Sequence, residues 1–279
     1  MLASIKFICI LCVLCWIANY WANKDYDGVT TTLPKKKRAY DNKYLNILST
    51  RSNFGKCLAQ RIQNVEMPEL DNPNFSHSLD LIKEIFVIHY SKSHARYKFI
   101  KSVLQEYNLT ARFMTDFDKE NITELIACAR QTSHKLSDSE LSVKIKHMAV
   151  YFLVLQKKIT HTLILEDDAY VVQDLRETMP TLLSKMMGKL PKYDLFFPGG
   201  CWNIKCKEKS KYVCRETASR CSHAYVVNTR GAIKLFFNMH EDHDKLPIDL
   251  LMNAEKLIMY WADPVIFLQN HISIEHVKD

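Results

Sequence analysis

An apolar run that stops on acid constrains this chain more than any other feature: Thr162-Leu-Ile-Leu165 leads directly into Glu166-Asp167-Asp168. A run this short suits a strand buried on both faces of a sheet. Three adjacent carboxylates cannot follow it into an apolar interior, so the strand must end there, at an edge that meets water or a cation.

The surrounding pattern alternates between the periods of strand and helix. Ile85–His89 is a short apolar run, followed by helical spacing over 96–106 and a second strand at Ala111–Thr115. Over 139–158 the spacing predicts a long helix. Leu141, Ile145, Met148, Phe152 and Leu155 form one apolar stripe, and Ser137 with Glu140 matches a capping box. Beyond the acid triplet come a helix over 175–187, a strand at 194–197 closed by Pro198-Gly199-Gly200, and a cysteine-rich loop. A strand at 224–227, helices over 230–239 and 248–257, and two apolar runs flanking Pro264 complete the chain. Strands alternating with helices predict an α/β domain with a mostly parallel central sheet over 81–279.

In such sheets ligands bind beyond the carboxyl ends of the strands, where the acid triplet falls. Alternate residues of an extended segment share a face, so Glu166 and Asp168 project together while Asp167 turns away. Two carboxylates on one side suit Mg²⁺ or Mn²⁺, and such a cation could bridge a diphosphate. The competing reading is a solvated loop at the end of a core strand. Glycine sharpens the choice. The chain has only six, and neither a P-loop nor a GxGxxG can be written with them. Any bound nucleotide needs its phosphates neutralised in another way. The formal charge of +7 suits an anionic ligand and is too small to imply nucleic acid.

Residues 7–22 (FICILCVLCWIANYWA) would rise about 24 Å as a helix, close to a membrane span. Positions three and one before a cleavage point want small residues, but Trp16 precedes Ala18 and Tyr20 precedes Ala22, so an uncleaved signal anchor is preferred over a cleaved signal peptide. The expected order is a tail at 1–6, the anchor at 7–22, a stem or irregular lead-in at 23–80, and the α/β domain. Lys35-Lys-Lys-Arg38 would pull its side of the membrane into the cytoplasm. The cysteines point the other way. Cys57, Cys128, Cys201, Cys206, Cys214 and Cys221 make an even six outside the span and lack any CxxC zinc pair, which reads as disulfides in an oxidising lumen. Asn74, Asn108 and Asn121 each open a glycosylation triplet. A single-pass protein of the Golgi or endoplasmic reticulum, with a lumenal C-terminal domain, is the expectation.

The segment Leu163-Ile-Leu-Glu-Asp-Asp-Ala169, behind the helix carrying Glu140 and His147, resembles glycosyltransferase family 25, which includes lipooligosaccharide and procollagen β-galactosyltransferases. Ile85–Arg96, Ala224-Tyr-Val-Val227, Gly231-Ala232, Pro247-Ile-Asp249, and Pro264 with Gln269 and Ser273 match further motifs in the right order. His89, Ala95 and Lys146 depart from it, where Asn, Asp and Ser are usual. The resemblance implies a GT-A type fold and inverting transfer of a sugar from a UDP-sugar to a glycan or protein hydroxyl.

On that reading Glu166 and Asp168 are the metal ligands, for Mn²⁺ or Mg²⁺. Arg96, Glu166, Asp167 and Tyr225 contact the nucleotide sugar, and Asp249 is the base that takes the acceptor proton. Each has a plainer alternative. Asp249 favours a helix dipole, with Glu241, Asp242 and Asp244 as competing bases; Arg96 pairs with a carboxylate; Tyr225 and His147 are core residues. Two other functions use the same features: a lumenal binding protein on the same fold without turnover, and a metal-dependent phosphoesterase.

Overall fold

A computed structural model describes residues 46, 53–72, 79, 81–131, 136–189, 193–200, 213–216, 221–237, 245–254 and 256–270. All fall within one compact unit, Tyr40–Asp279. The expected anchor at 7–22, the basic run at 35–38, Cys201, Cys206 and Asn74 lie outside the described residues. Among those described, no helix is long and apolar enough to cross a membrane.

In chain order the elements are α1 (Asn53–Ile62), β1 (Glu84–Ile88), α2 (His94–Glu106), β2 (Arg112–Met114), a 3₁₀ turn (Lys119–Asn121), α3 (Thr123–Gln131) and α4 (Asp138–Gln156). They continue with β3 (His161–Glu166), β4 (Ala169–Val171), α5 (Leu175–Lys189), β5 (Leu195–Phe197), β6 (Val213–Glu216), β7 (Ala224–Asn228), α6 (Thr229–Phe237), α7 (Ile248–Ala254), β8 (Met259–Ala262) and β9 (Phe267–Gln269). Seven strands form one sheet in the order β2-β1-β3-β7-β5-β8-β6. β2, β1, β3, β5 and β8 run one way; β7 and β6 run against them. The fold is α/β with a mixed, mostly parallel sheet. β4 and β9 form a separate antiparallel ribbon.

Side chains alternate across the sheet and build a core on each face. Phe86, Ile88, Ile164, Tyr225 and Phe197 face α1, α4, α6 and α7. Ile85, Val87, Leu163, Leu165 and Val226 face α2 and α5. The capping box of α4 forms as its sequence predicts, Ser137 Oγ accepting from the Glu140 amide and Glu140 Oε2 from the Ser137 amide. Its apolar stripe does not stay a stripe. From Ile145 to Leu155 every residue of α4 is buried, because neighbouring helices cover the sides that a lone amphipathic helix would leave wet.

Part of the expected lead-in is also structured. Phe54, Leu58 and Ile62 of α1 are fully buried against α4, Cys57 is disulfide-bonded to Cys128 of α3 with a Cα separation of 6.4 Å, and Leu70 bridges Arg112. The cysteine-rich loop contributes β6, an edge strand on β8 that local pattern did not reveal.

Candidate active site

β1 and β3 pair in register with Ile88 opposite Glu166, so both strands end at the same level. The next residues, His89 and Asp167, therefore meet: His89 Nδ1 donates to Asp167 Oδ2 at 2.8 Å. β1 then turns through Tyr90 into α2, whose first turn carries Arg96 back over the strand ends. Arg96 Nη1 lies 3.0 Å from Asp167 Oδ1 and 3.5 Å from Asp168 Oδ2. A cavity of about 240 Å³ opens here, lined by His89, Arg96, Lys119, Lys146, Glu166 and Asp167 among others.

The three acids differ in environment. Asp167 is buried, which raises its pKa, but bonds from His89 and the Arg96 charge outweigh that and hold it below the usual carboxylate range. The Tyr90 amide adds a third donor at 3.4 Å. Asp167, expected to meet the nucleotide sugar, lines the cavity with both oxygens engaged by protein donors.

Asp168 is as deeply buried and poorly compensated. Oδ2 accepts from Gln269 Nε2 at 3.1 Å, while Oδ1 has no hydrogen-bond partner among the described residues. Burial, then the Glu166 charge, pushes its pKa up to about 6. At Glu166 burial also acts upward, but His147 and Ser222 hold the carboxyl low, Ser222 Oγ donating to Oε1 at 2.6 Å. Among the described residues no group of three or more His, Cys, Asp or Glu side chains is placed to hold a metal ion. Two carboxylates nevertheless fit a Mg²⁺- or Mn²⁺-type site completed by substrate phosphates and water. The orphaned oxygen of Asp168, beside a second charged carboxylate, has the donor chemistry that such a cation satisfies.

Asp249 opens α7 after Pro247, its Oδ1 accepting from the Leu250 amide at 2.8 Å. It fills the plain helix-start role, and it also sits within electrostatic reach of the acid cluster. Burial raises its pKa, and the Glu166 and Glu140 charges add to that. Glu241, Asp242 and Asp244 lie outside the described residues. Tyr225 requires a correction. It is fully buried in β7 with its hydroxyl 2.7 Å from His147 Nδ1, so it belongs to the interior and does not line the cavity.

Local sequence gave no sign of Asp118 or Ser222. Lys146 Nζ donates to Asp118 Oδ1 and to the His89 carbonyl, and Ser91 donates to Asp118 Oδ2 through its amide and hydroxyl. Burial pushes the Lys146 pKa down, against the pull of Asp118. Lys146 thus ties the end of β1, through the His89 carbonyl, to Asp118.

Of the candidate cysteines, Cys57 pairs with Cys128, and Cys214 and Cys221 are both in disulfides. Asn108 and Asn121 are exposed.

Comparison with known proteins gives one family match. The model of glycosyltransferase family 25 (LPS biosynthesis protein) matches residues 82–252, more than half of the chain and including β1, α4, the acid triplet and Asp249. No curated protein matches. Among solved structures, A197 from STIV overlays with a TM-score of 0.36 at 9% identity, covering 70% of this chain and 97% of that one.

Proposed function

The chain belongs to glycosyltransferase family 25, and we propose that it moves a sugar, galactose being the family's commonest theme, from a UDP-sugar to a hydroxyl of a glycan or protein. The reading includes a GT-A type fold, inversion at the anomeric carbon and dependence on Mn²⁺ or Mg²⁺. One observation carries it: the buried Oδ1 of Asp168, without a hydrogen-bond partner among the described residues, beside the Glu166 charge at the ends of parallel strands.

Glu166 and Asp168 would hold the cation, which when bound offsets negative charge on the departing diphosphate. Arg96, one-third exposed and anchored on Asp167, presents a guanidinium to the phosphates. The bond from the anomeric carbon to the phosphate oxygen breaks as the acceptor oxygen bonds from the opposite face. The acceptor proton passes to the Asp249 carboxylate, whose raised pKa makes it a better base than an ordinary aspartate. Disulfides at Cys57–Cys128 and at Cys214 and Cys221 favour an oxidising compartment, in keeping with a lumenal domain behind an anchor at 7–22.

The test is thermal. The full-length chain in detergent is melted alone, with UDP, with Mn²⁺ and with both, beside Asp168→Ala. A ligand at 100 times its Kd stabilises by about 2.7 kcal/mol, a shift of several degrees. Stabilisation that needs both ligands and disappears in Asp168→Ala is the expected result. No shift with any combination would overturn the proposed mechanism while leaving family membership intact.

A further inference from the structure

Behind Glu166 lies a chain of buried polar groups that the proposed transfer does not use. His147 and Tyr151 stand four residues apart on α4 and so share a face. Tyr225, on β7, lies opposite Ile164, two residues before Glu166. The Tyr151 and Tyr225 hydroxyls are 2.6 Å apart, and the Tyr225 hydroxyl is 2.7 Å from His147 Nδ1. His147 Nε2 is 3.4 Å from Glu166 Oε1, a long contact, and has no hydrogen-bond partner of its own among the described residues. All three aromatic residues are 0% exposed, so none can touch substrate.

With His147 as a neutral imidazole, only one arrangement of protons serves every group. A carboxylate accepts and cannot donate, so Nε2 must carry the hydrogen that faces Glu166. Nδ1 is then an acceptor and takes the Tyr225 hydroxyl hydrogen, while the Tyr225 oxygen accepts from Tyr151. Ser222 and His147 both approach Oε1 of Glu166, so the two contacts fall on one oxygen of the carboxylate. We infer that Tyr151, Tyr225 and His147 form a one-way hydrogen-bond relay that fixes His147 as an Nε2–H donor and holds the Glu166 carboxylate in its cation-binding orientation. His147 is thus a positioning residue. The inference rests on the reading that Glu166 and Asp168 hold a divalent cation.

Amide side chains separate this role from simple core filling. The nitrogen of Gln at 147 can replace Nε2, whereas that of Asn falls at the level of Nδ1. Mn²⁺ is titrated into the full-length chain with UDP present, and binding is read from loss of the free-Mn²⁺ paramagnetic resonance signal. Loss of an outer-shell partner typically weakens a metal site 10- to 100-fold. His147→Asn is expected to fall in that range and His147→Gln to stay within about threefold of wild type, in line with retention of the Nε2 donor. Tyr225→Phe keeps the ring and removes one hydroxyl, which guards against a folding failure at 147. It should weaken Mn²⁺ binding and show His147 as a mixture of tautomers by ¹⁵N resonance. Equal Mn²⁺ affinity in wild type, His147→Gln, His147→Asn and Tyr225→Phe overturns the relay with the metal reading intact. No Mn²⁺ binding in wild type, as in an Asp168→Asn control, overturns both.

Discussion

Arg96 Nη1 donates to Asp167 Oδ1 at 3.0 Å, and with His89 on the other oxygen it neutralises the middle acid of the triplet. Three consecutive carboxylates thereby become two. The Asp167 charge is absorbed by the loop after β1 and the first turn of α2, while Glu166 and Asp168 keep charge for a ligand.

Asp168 should destabilise the ligand-free protein. Its folded pKa of about 6 lies above the ordinary value near 4, so the folded chain binds more protons between those limits and loses stability as pH rises through them. The full penalty, about 3 kcal/mol at one pKa unit per 1.36 kcal/mol, applies above pH 6. Asp168→Asn should therefore melt higher than wild type at pH 7.5 in chelator, with a smaller gap at pH 4.5. A gap independent of pH would show that Asp168 is not held in this way.

Asp249→Asn should separate chemistry from binding. Loss of a general base typically costs 10²- to 10⁴-fold in turnover. The thermal shift with UDP and Mn²⁺ should not change, because Asp249 is assigned no part in donor binding. In wild type, transfer should rise with pH through an acid limb above the usual aspartate range, since the base must be ionised to act. An Asp249→Asn variant with wild-type turnover would restrict this residue to its helix-start role.

Lys146 and Asp118 are both about 2% exposed, and Lys146→Met would strand the Asp118 charge. Breaking one side of a buried pair costs about 3–5 kcal/mol. Asp118→Asn combined with Lys146→Met should recover much of that, since Asn still accepts from Ser91. Urea midpoints at unchanged m-value measure both. Equal midpoints for the single and double variants would mean that the pair is not coupled.

Gly231→Ala should fail through contact with backbone. A Cβ at Gly231 would come within 2.9 Å of the Asp194 carbonyl carbon and closer still to its oxygen, where no flexible side chain can give way. Overpacking of this kind costs about 1–3 kcal/mol or more, readable as a lower melting temperature. The Gly-Ala pair matched to the family at 231–232 thus has a local reason: α6 packs directly on the chain entering β5.

Local pattern was enough for the α/β class, the strand ending at Glu166 and the α4 capping box, because periodicity, charge placement and capping depend on neighbours a few residues apart. It also pointed to Glu166, Asp168 and Asp249 as candidates, since acid at a strand end or a helix start is visible in one dimension, whereas Arg96 entered only through the family resemblance. Tertiary structure decided the rest. That β7 and β6 run against the sheet depends on which strand each meets, and no local spacing encodes a partner. Burial on every side of α4 depends on α1, a helix some 80 residues upstream in what reads as a lead-in. Asp167 and Asp168 are adjacent and chemically identical, yet one is satisfied by three donors and the other keeps an orphaned oxygen. His89, Arg96 and Gln269 make that difference, and they reach the triplet only through strand register and chain crossings.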